Sequence, residues 1–160
     1  MSKTSRNRNL AIRVVSAVVA ALLVIIVHLF ASSVGLKVLG TLVVVFSTRE
    51  LIRILFAEED SRTIKVLFFS LMMLVYALVL FSLEYAALGF ALVAILFFSL
   101  SLWLETRFED LHALNAFQSK AILGFLYMGV FPGFAMRILD LPNGSRWFYA
   151  LLGFVFASDT

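Results

Sequence analysis

The sequence predicts an all-α, polytopic membrane helix bundle: about five full transmembrane helices plus a truncated sixth, with the N-terminus in the cytoplasm. Three observations carry this. First, 62% of the 160 residues are hydrophobic and only 14% are charged, and the mean hydropathy is +1.04. A soluble domain has roughly 45–50% apolar and about 25% charged residues; this chain has too little polar surface to cover a water-facing globule, so its solvent is lipid. Second, the apolar residues fall into six runs separated by short polar segments. Third, the basic residues gather at alternate ends of those runs.

The runs follow in order. The first covers 14–32 and the second 38–56. The third covers 66–83 and the fourth 85–104, with Glu84 in the tight turn between them, where solvation accounts for it. The fifth covers 121–138, and its Pro132-Gly133 pair predicts a kink that neighbouring helices tolerate. Leu141-Pro142-Asn143-Gly144-Ser145 reads as a turn from its breakers. The sixth begins near Trp147 and stops at Thr160. No fixed-period repeat or low-complexity linker interrupts the series, so residues 1–160 are read as a single transmembrane domain without a separate soluble part. The opening MSKTSRNRNLAIR is similar to a signal-peptide n-region, with a small-residue cleavage site at Ala31-Ser32-Ser33. The apolar stretch behind it exceeds the usual h-region of about 7–15 residues, and more spans follow at once, so it reads as a retained first helix.

Orientation follows from the cations. With the N-terminus inside, Lys3, Arg6, Arg8, Arg13, Arg49, Arg53, Arg62, Lys65, Arg107 and Lys120 fall at inner ends or loops; Lys37, Arg137 and Arg146 fall outside. That asymmetry obeys the positive-inside rule. The net charge of +3 and pI of about 9.5 therefore point to topology and anionic headgroups rather than nucleic acid. The absence of cysteine excludes disulfides, thiolate catalysis and cysteine metal sites within these residues.

Few residues are candidates for chemistry. Asp159 lies about 12 residues into the sixth run, roughly 18 Å along a helix, whereas the hydrocarbon core is ~30 Å thick. An ionisable group at that depth reads as a metal- or phosphate-handling carboxylate in a cytoplasm-facing cavity, or as a solvated helix end. A free C-terminus beside it suggests that the natural chain continues. Arg49, Glu50 and Arg53 end the second run, with Glu50 and Arg53 on one helix face; they read as a solvated helix end with a local ion pair, or as a ligand site. Glu58-Glu59-Asp60 reads as a charged loop. In ETRFEDLHALNAFQSK, Glu105, Glu109 and His112 share a face if helical, a divalent-metal pattern. The alternative, which we favour, is an amphipathic cytoplasmic loop with Phe108, Leu111 and Leu114 on the interface. His28, in an apolar helix, reads as neutral and hydrogen-bonded across the bundle.

Several of these residues together resemble one family. NLAIRVVSAVVA, with Arg13, Val14, Val15, Ser16 and Ala17, is similar to the opening of phosphatidate cytidylyltransferases, also called CDP-diacylglycerol synthases. Glu50 in FSTRELIRI resembles the glutamate that often ends their second span. ILGFLYMGVFPGFAMRIL resembles their fifth, with Gly124, Tyr127 and Arg137 in order and Gly144 beyond. FASDT looks like the start of their Asp-x-x-Ala-Tyr-x-x-Gly motif, with Asp159 as its acid.

The resemblance implies a nucleotidyltransferase that makes CDP-diacylglycerol and pyrophosphate from CTP and phosphatidate. It implies a phospholipid-biosynthesis enzyme in a multi-pass, bacterial inner-membrane setting, often a homodimer, with Mg2+ as cofactor. Asp159 would be the metal residue, and Arg49 and Arg53 candidates for lipid phosphate. The family's C-terminal elements, Ser-x-x-Lys-Arg, Lys-Asp and His-Gly-Gly, do not occur here. The expectation is an N-terminal portion of such an enzyme, inactive alone, with its main catalytic residues unassigned. Two other readings compete: a small oligomeric transporter, for which mid-span polar groups are scarce, and a membrane scaffold.

Overall fold

In hydrocarbon every backbone N–H and C=O needs a partner within the protein, and a helix supplies one from its own segment. The structure, a computed structural model, describes residues 3–56, 62–104 and 111–158, and these are helical apart from short turns. In order they are α1 (Lys3–Leu55), α2 (Arg62–Phe81), α3 (Leu83–Leu104), α4 (Leu111–Gly124), a π turn (Phe125–Val130), α5 (Phe131–Arg137), a 3-10 turn (Ile138–Asp140) and α6 (Gly144–Ser158). Four stretches among them are long and apolar enough to cross a membrane: Val15–Leu55, Arg62–Phe81, Leu83–Trp103 and Leu114–Asp140.

The first of these has 41 residues and would reach about 60 Å if straight, twice the hydrocarbon thickness. It is not straight. Ser32 has φ 55° and ψ −152°, a conformation that L residues rarely adopt. A Cβ on Gly35 would stand 3.3 Å from the carbonyl oxygen of Val27. Eight residues of straight helix would separate that pair by about 12 Å. The chain therefore turns back locally at Ser32, and this break separates the apolar stretches read as 14–32 and 38–56. The stretches that can cross number four, or five with α1 counted as two limbs.

The chain divides into two compact units. One comprises Met1–Leu39 with Leu139–Thr160. Here Lys37 forms an ion pair with Asp140. The breakers of the 141–145 segment form the turn they predict: Gly144 N–H donates to the Leu141 carbonyl at 2.8 Å, Pro142 holds the second position, and Asn143 takes a left-handed φ of 59°. His28 does not make the hydrogen bond expected of it. Its ring meets Tyr149 edge-on at 5.6 Å, and its Nδ1 is buried without a partner.

The other unit, Gly40–Ile138, is organised around α2. The buried face of α2 is Ile64, Phe68, Leu71, Met72, Val75, Tyr76, Val79 and Leu80, an i, i+3/i+4 stripe. Between lipid-solvated helices there is little hydrophobic drive, so association rests on close packing and interhelical hydrogen bonds. Both are present. Phe56, Phe68, Phe97, Phe117 and Phe125 form one ring cluster, with Phe68 and Phe125 stacked at 4.8 Å. Thr41 and Tyr76 share a 2.9 Å hydrogen bond, and Arg137 Nη1 donates to the Leu80 carbonyl at the C-terminal end of α2 at 2.9 Å.

The kink expected at Pro132-Gly133 takes a specific form. Proline cannot donate to the carbonyl four residues back, and its ring crowds that carbonyl. The helix widens just upstream, and Phe131 N–H bonds to the Leu126 carbonyl, five residues back. This extra residue per turn has a packing consequence. A Cβ on Gly124 would lie 2.7 Å from Phe68, one on Gly129 2.9 Å from Val75, and one on Gly133 2.8 Å from Val79. Five residues of regular α-helix would leave Gly124 and Gly129 about 140° apart. The π turn brings all three glycines onto the α2 face.

α2 and α3 are joined by Ser82 alone, with Tyr85 N–H on the Ser82 carbonyl at 3.0 Å. Glu84 falls in the first turn of α3, where the helix dipole favours an acid.

Candidate functional site

One difference from the sequence reading defines the site. The fifth helical stretch starts at Leu111 rather than near 121, so HALNAFQSK is helix from its first residue. Hydropathy missed this because His112, Asn115, Gln118, Ser119 and Lys120 are polar. Their spacing holds the signal: 112, 115 and 118 lie three apart, on one face of a helix.

That face opens as a groove of about 350 Å³ lined by Phe98, His112, Leu114, Asn115 and Gln118. α3 supplies Phe98 and α4 supplies the rest. The volume falls within the roughly 300–1,000 Å³ of small-molecule sites. His112 and Asn115 are exposed. Gln118 is only 6% exposed, and a buried amide needs partners. Its Nε2 donates to Ser101 Oγ at 2.5 Å, and Ser101 Oγ donates to the Phe98 carbonyl at 2.9 Å. Ser101 is itself fully buried. Ser101 and Gln118 escape a sequence reading because Ser101 lies in the uninterrupted apolar run FFSLSLWL.

The other candidates separate. Arg49, Glu50 and Arg53 lie on the second limb of α1 and are exposed. Arg49 and Arg53, four apart, share a helix face, and neither lines the groove. Among the described residues Glu50 and Arg53 form no ion pair. Asp159, Glu105, Glu109 and the 58–60 acids lie outside the described residues. The two acids of the face predicted for His112, Glu105 and Glu109, are thus not among the described residues.

Among the described residues no three of His, Asp and Glu come together. Magnesium commonly keeps several waters and takes only one or two carboxylates, and Asp159, the carboxylate expected to hold it, lies outside the described residues.

Apolar spanning helices, with an interior joined by glycine contacts and buried hydrogen bonds, define an integral membrane protein of the all-helical class. Comparison of sequences narrows this: the model of the Cytidylyltransferase family matches residues 11–160. The chain belongs to that family. This makes it a nucleotidyltransferase-type enzyme that uses CTP. Comparisons with curated proteins and with solved structures each returned no match.

Proposed function

We propose that this protein contributes to the transfer of a cytidylyl group from CTP to phosphatidate, yielding CDP-diacylglycerol and pyrophosphate. The observation that carries the reading is the family match across residues 11–160. A phosphate oxygen of the lipid attacks the α-phosphorus of CTP; the bond from that phosphorus to the α–β bridging oxygen breaks, and pyrophosphate leaves with the electron pair. Phosphatidate stays in the leaflet while CTP comes from water, so the reaction requires a polar recess at the membrane surface. The cation asymmetry supports a cytoplasmic N-terminus and a bacterial inner membrane. With that orientation, the start of α4 and the end of α3 lie on the CTP side.

Within the proposal, Asp159 is a carboxylate of the reaction site, and Arg49 and Arg53 offer guanidinium groups suited to a lipid phosphate. Magnesium and a homodimer belong to the proposal through the resemblance alone. Because Lys-Asp and His-Gly-Gly elements are absent from the 160 residues, these residues alone are proposed to be inactive.

The test compares membranes carrying the 160-residue chain with membranes carrying the product of the whole open reading frame. CTP- and phosphatidate-dependent CDP-diacylglycerol is the readout. The full product is expected to be active and the 160 residues silent. Inactivity of the full product, inserted at normal levels, overturns the proposal. In an active background, Asp159→Asn is expected to lower turnover at least about 100-fold, the scale of losing one group that stabilises transition-state charge.

A further inference from the structure

We infer that the groove between α3 and α4 reads the cytosine ring of the nucleotide, with Gln118 as the residue that selects cytosine over uracil. This rests on the CTP-using reading given above.

The argument starts from a proton count. A serine hydroxyl has one hydrogen and two lone pairs. Ser101 commits its hydrogen to the Phe98 carbonyl, so toward Gln118 it can only accept. It therefore receives the amide NH2 of Gln118, not its carbonyl. A surface glutamine can rotate its amide by half a turn and exchange donor for acceptor; Gln118 can do so only if Ser101 withdraws its hydrogen from the Phe98 carbonyl and donates to Oε1 instead. Its Oε1 is left as an oriented acceptor in a residue that lines the groove.

A fixed acceptor discriminates between pyrimidines. Cytosine carries an amino donor at position 4, and uracil carries a carbonyl there. The amino group meets Oε1 with a hydrogen bond. The uracil carbonyl meets it oxygen to oxygen, with no hydrogen between. A site built to bond a substrate N–H rejects the analogue that lacks it far better than an apolar pocket rejects a misfit. The remaining lining matches the rest of the ring. Asn115, three residues earlier on the same face, has a carboxamide able to donate to N3 or O2, and Phe98 supplies an aromatic wall on which a base stacks.

The experiment uses the product of the full open reading frame in membranes, with CTP and UTP as probes and CDP-diacylglycerol formation followed in the same preparations. The 160 residues contain no cysteine, so Leu114→Cys places a reporter thiol in the groove lining, at a residue with no assigned contact to the base. Modification of the peptide bearing residue 114 by a maleimide is read by mass spectrometry. CTP is expected to slow modification at least about tenfold more than UTP does at equal concentration. Gln118→Ala, added to the same background, is expected to bring the two nucleotides within about twofold of each other. Unslowed modification in a preparation that turns CTP over overturns the inference and leaves the proposed function standing. Equal protection by CTP and UTP also overturns it. Absence of both protection and turnover removes the inference together with the reading beneath it. If Gln118→Ala does not accumulate, Ser101→Ala is substituted: it frees the amide to rotate, and retained CTP preference in that variant overturns the role of Gln118.

Discussion

The two seams of the Gly40–Ile138 unit are built on different principles. Where the π turn and α5 meet α2, contact is steric and dry: Gly129 and Gly133 let the backbones approach until a Cβ would strike Val75 and Val79. Where α4 meets α3, contact is polar: Gln118 reaches Ser101, Ser101 reaches a carbonyl, and the seam opens into a groove. The glycine seam has no room to admit anything. The polar seam fixes the orientation of its groups while leaving space beside them. One sets the register of the helices, and the other presents chemistry at their end.

The contrast can be broken at both places. The largest expected effect is Gly133→Leu, whose side chain must displace Val79 and approach the Tyr76 carbonyl. Overpacking of this kind costs about 2–3 kcal/mol, to be read as a loss of unfolding midpoint in mixed micelles. Gln118→Leu leaves Ser101 Oγ without its donor; interhelical polar contacts in membranes are worth about 1–2 kcal/mol at most, and the same assay should show that smaller loss. Ser32→Gly is expected to act in the opposite direction. Glycine adopts positive φ freely, so relief of the strain at Ser32 should raise stability by about 1 kcal/mol. Leu92→Ala, at a position 57% exposed on α3, faces no neighbour in either seam and should fall within about 0.5 kcal/mol of the parent. A larger drop there would mean that α3 has a protein partner on that face.

Much of the architecture was legible because hydropathy and turn chemistry are local. The apolar runs and the turn at 141–145 follow from residues adjacent in sequence, whereas the joint expected at Glu84 falls at Ser82, with Glu84 already in the first turn of α3. The start of α4 was not legible, since a hydropathy window scores Gln118 as polar and cannot know that Ser101, 17 residues away, satisfies it. The π turn was half legible: Pro132 marks a disturbance, and the unequal spacing of Gly124, Gly129 and Gly133 encodes its form, but only once α2 supplies the surface they share. Of the candidate site residues, Arg49 and Arg53 stand exposed at a helix end as their pattern suggested. Asn115 and Gln118 went unread because neither ionises, and attention to charge passes over amides whose value lies in a fixed orientation.

The reversal at Ser32 bears on more than local geometry. Each crossing of a bilayer exchanges the compartment in which the following segment emerges, so the parity of crossings governs everything downstream. A 41-residue apolar stretch traversed once would send the second limb's arginines and the α3–α4 groove to one side; traversed twice, as a hairpin, it sends them to the other. The side on which the segments after α1 emerge thus turns on whether the chain crosses once or twice before them, and the backbone of Ser32 is where that choice is made.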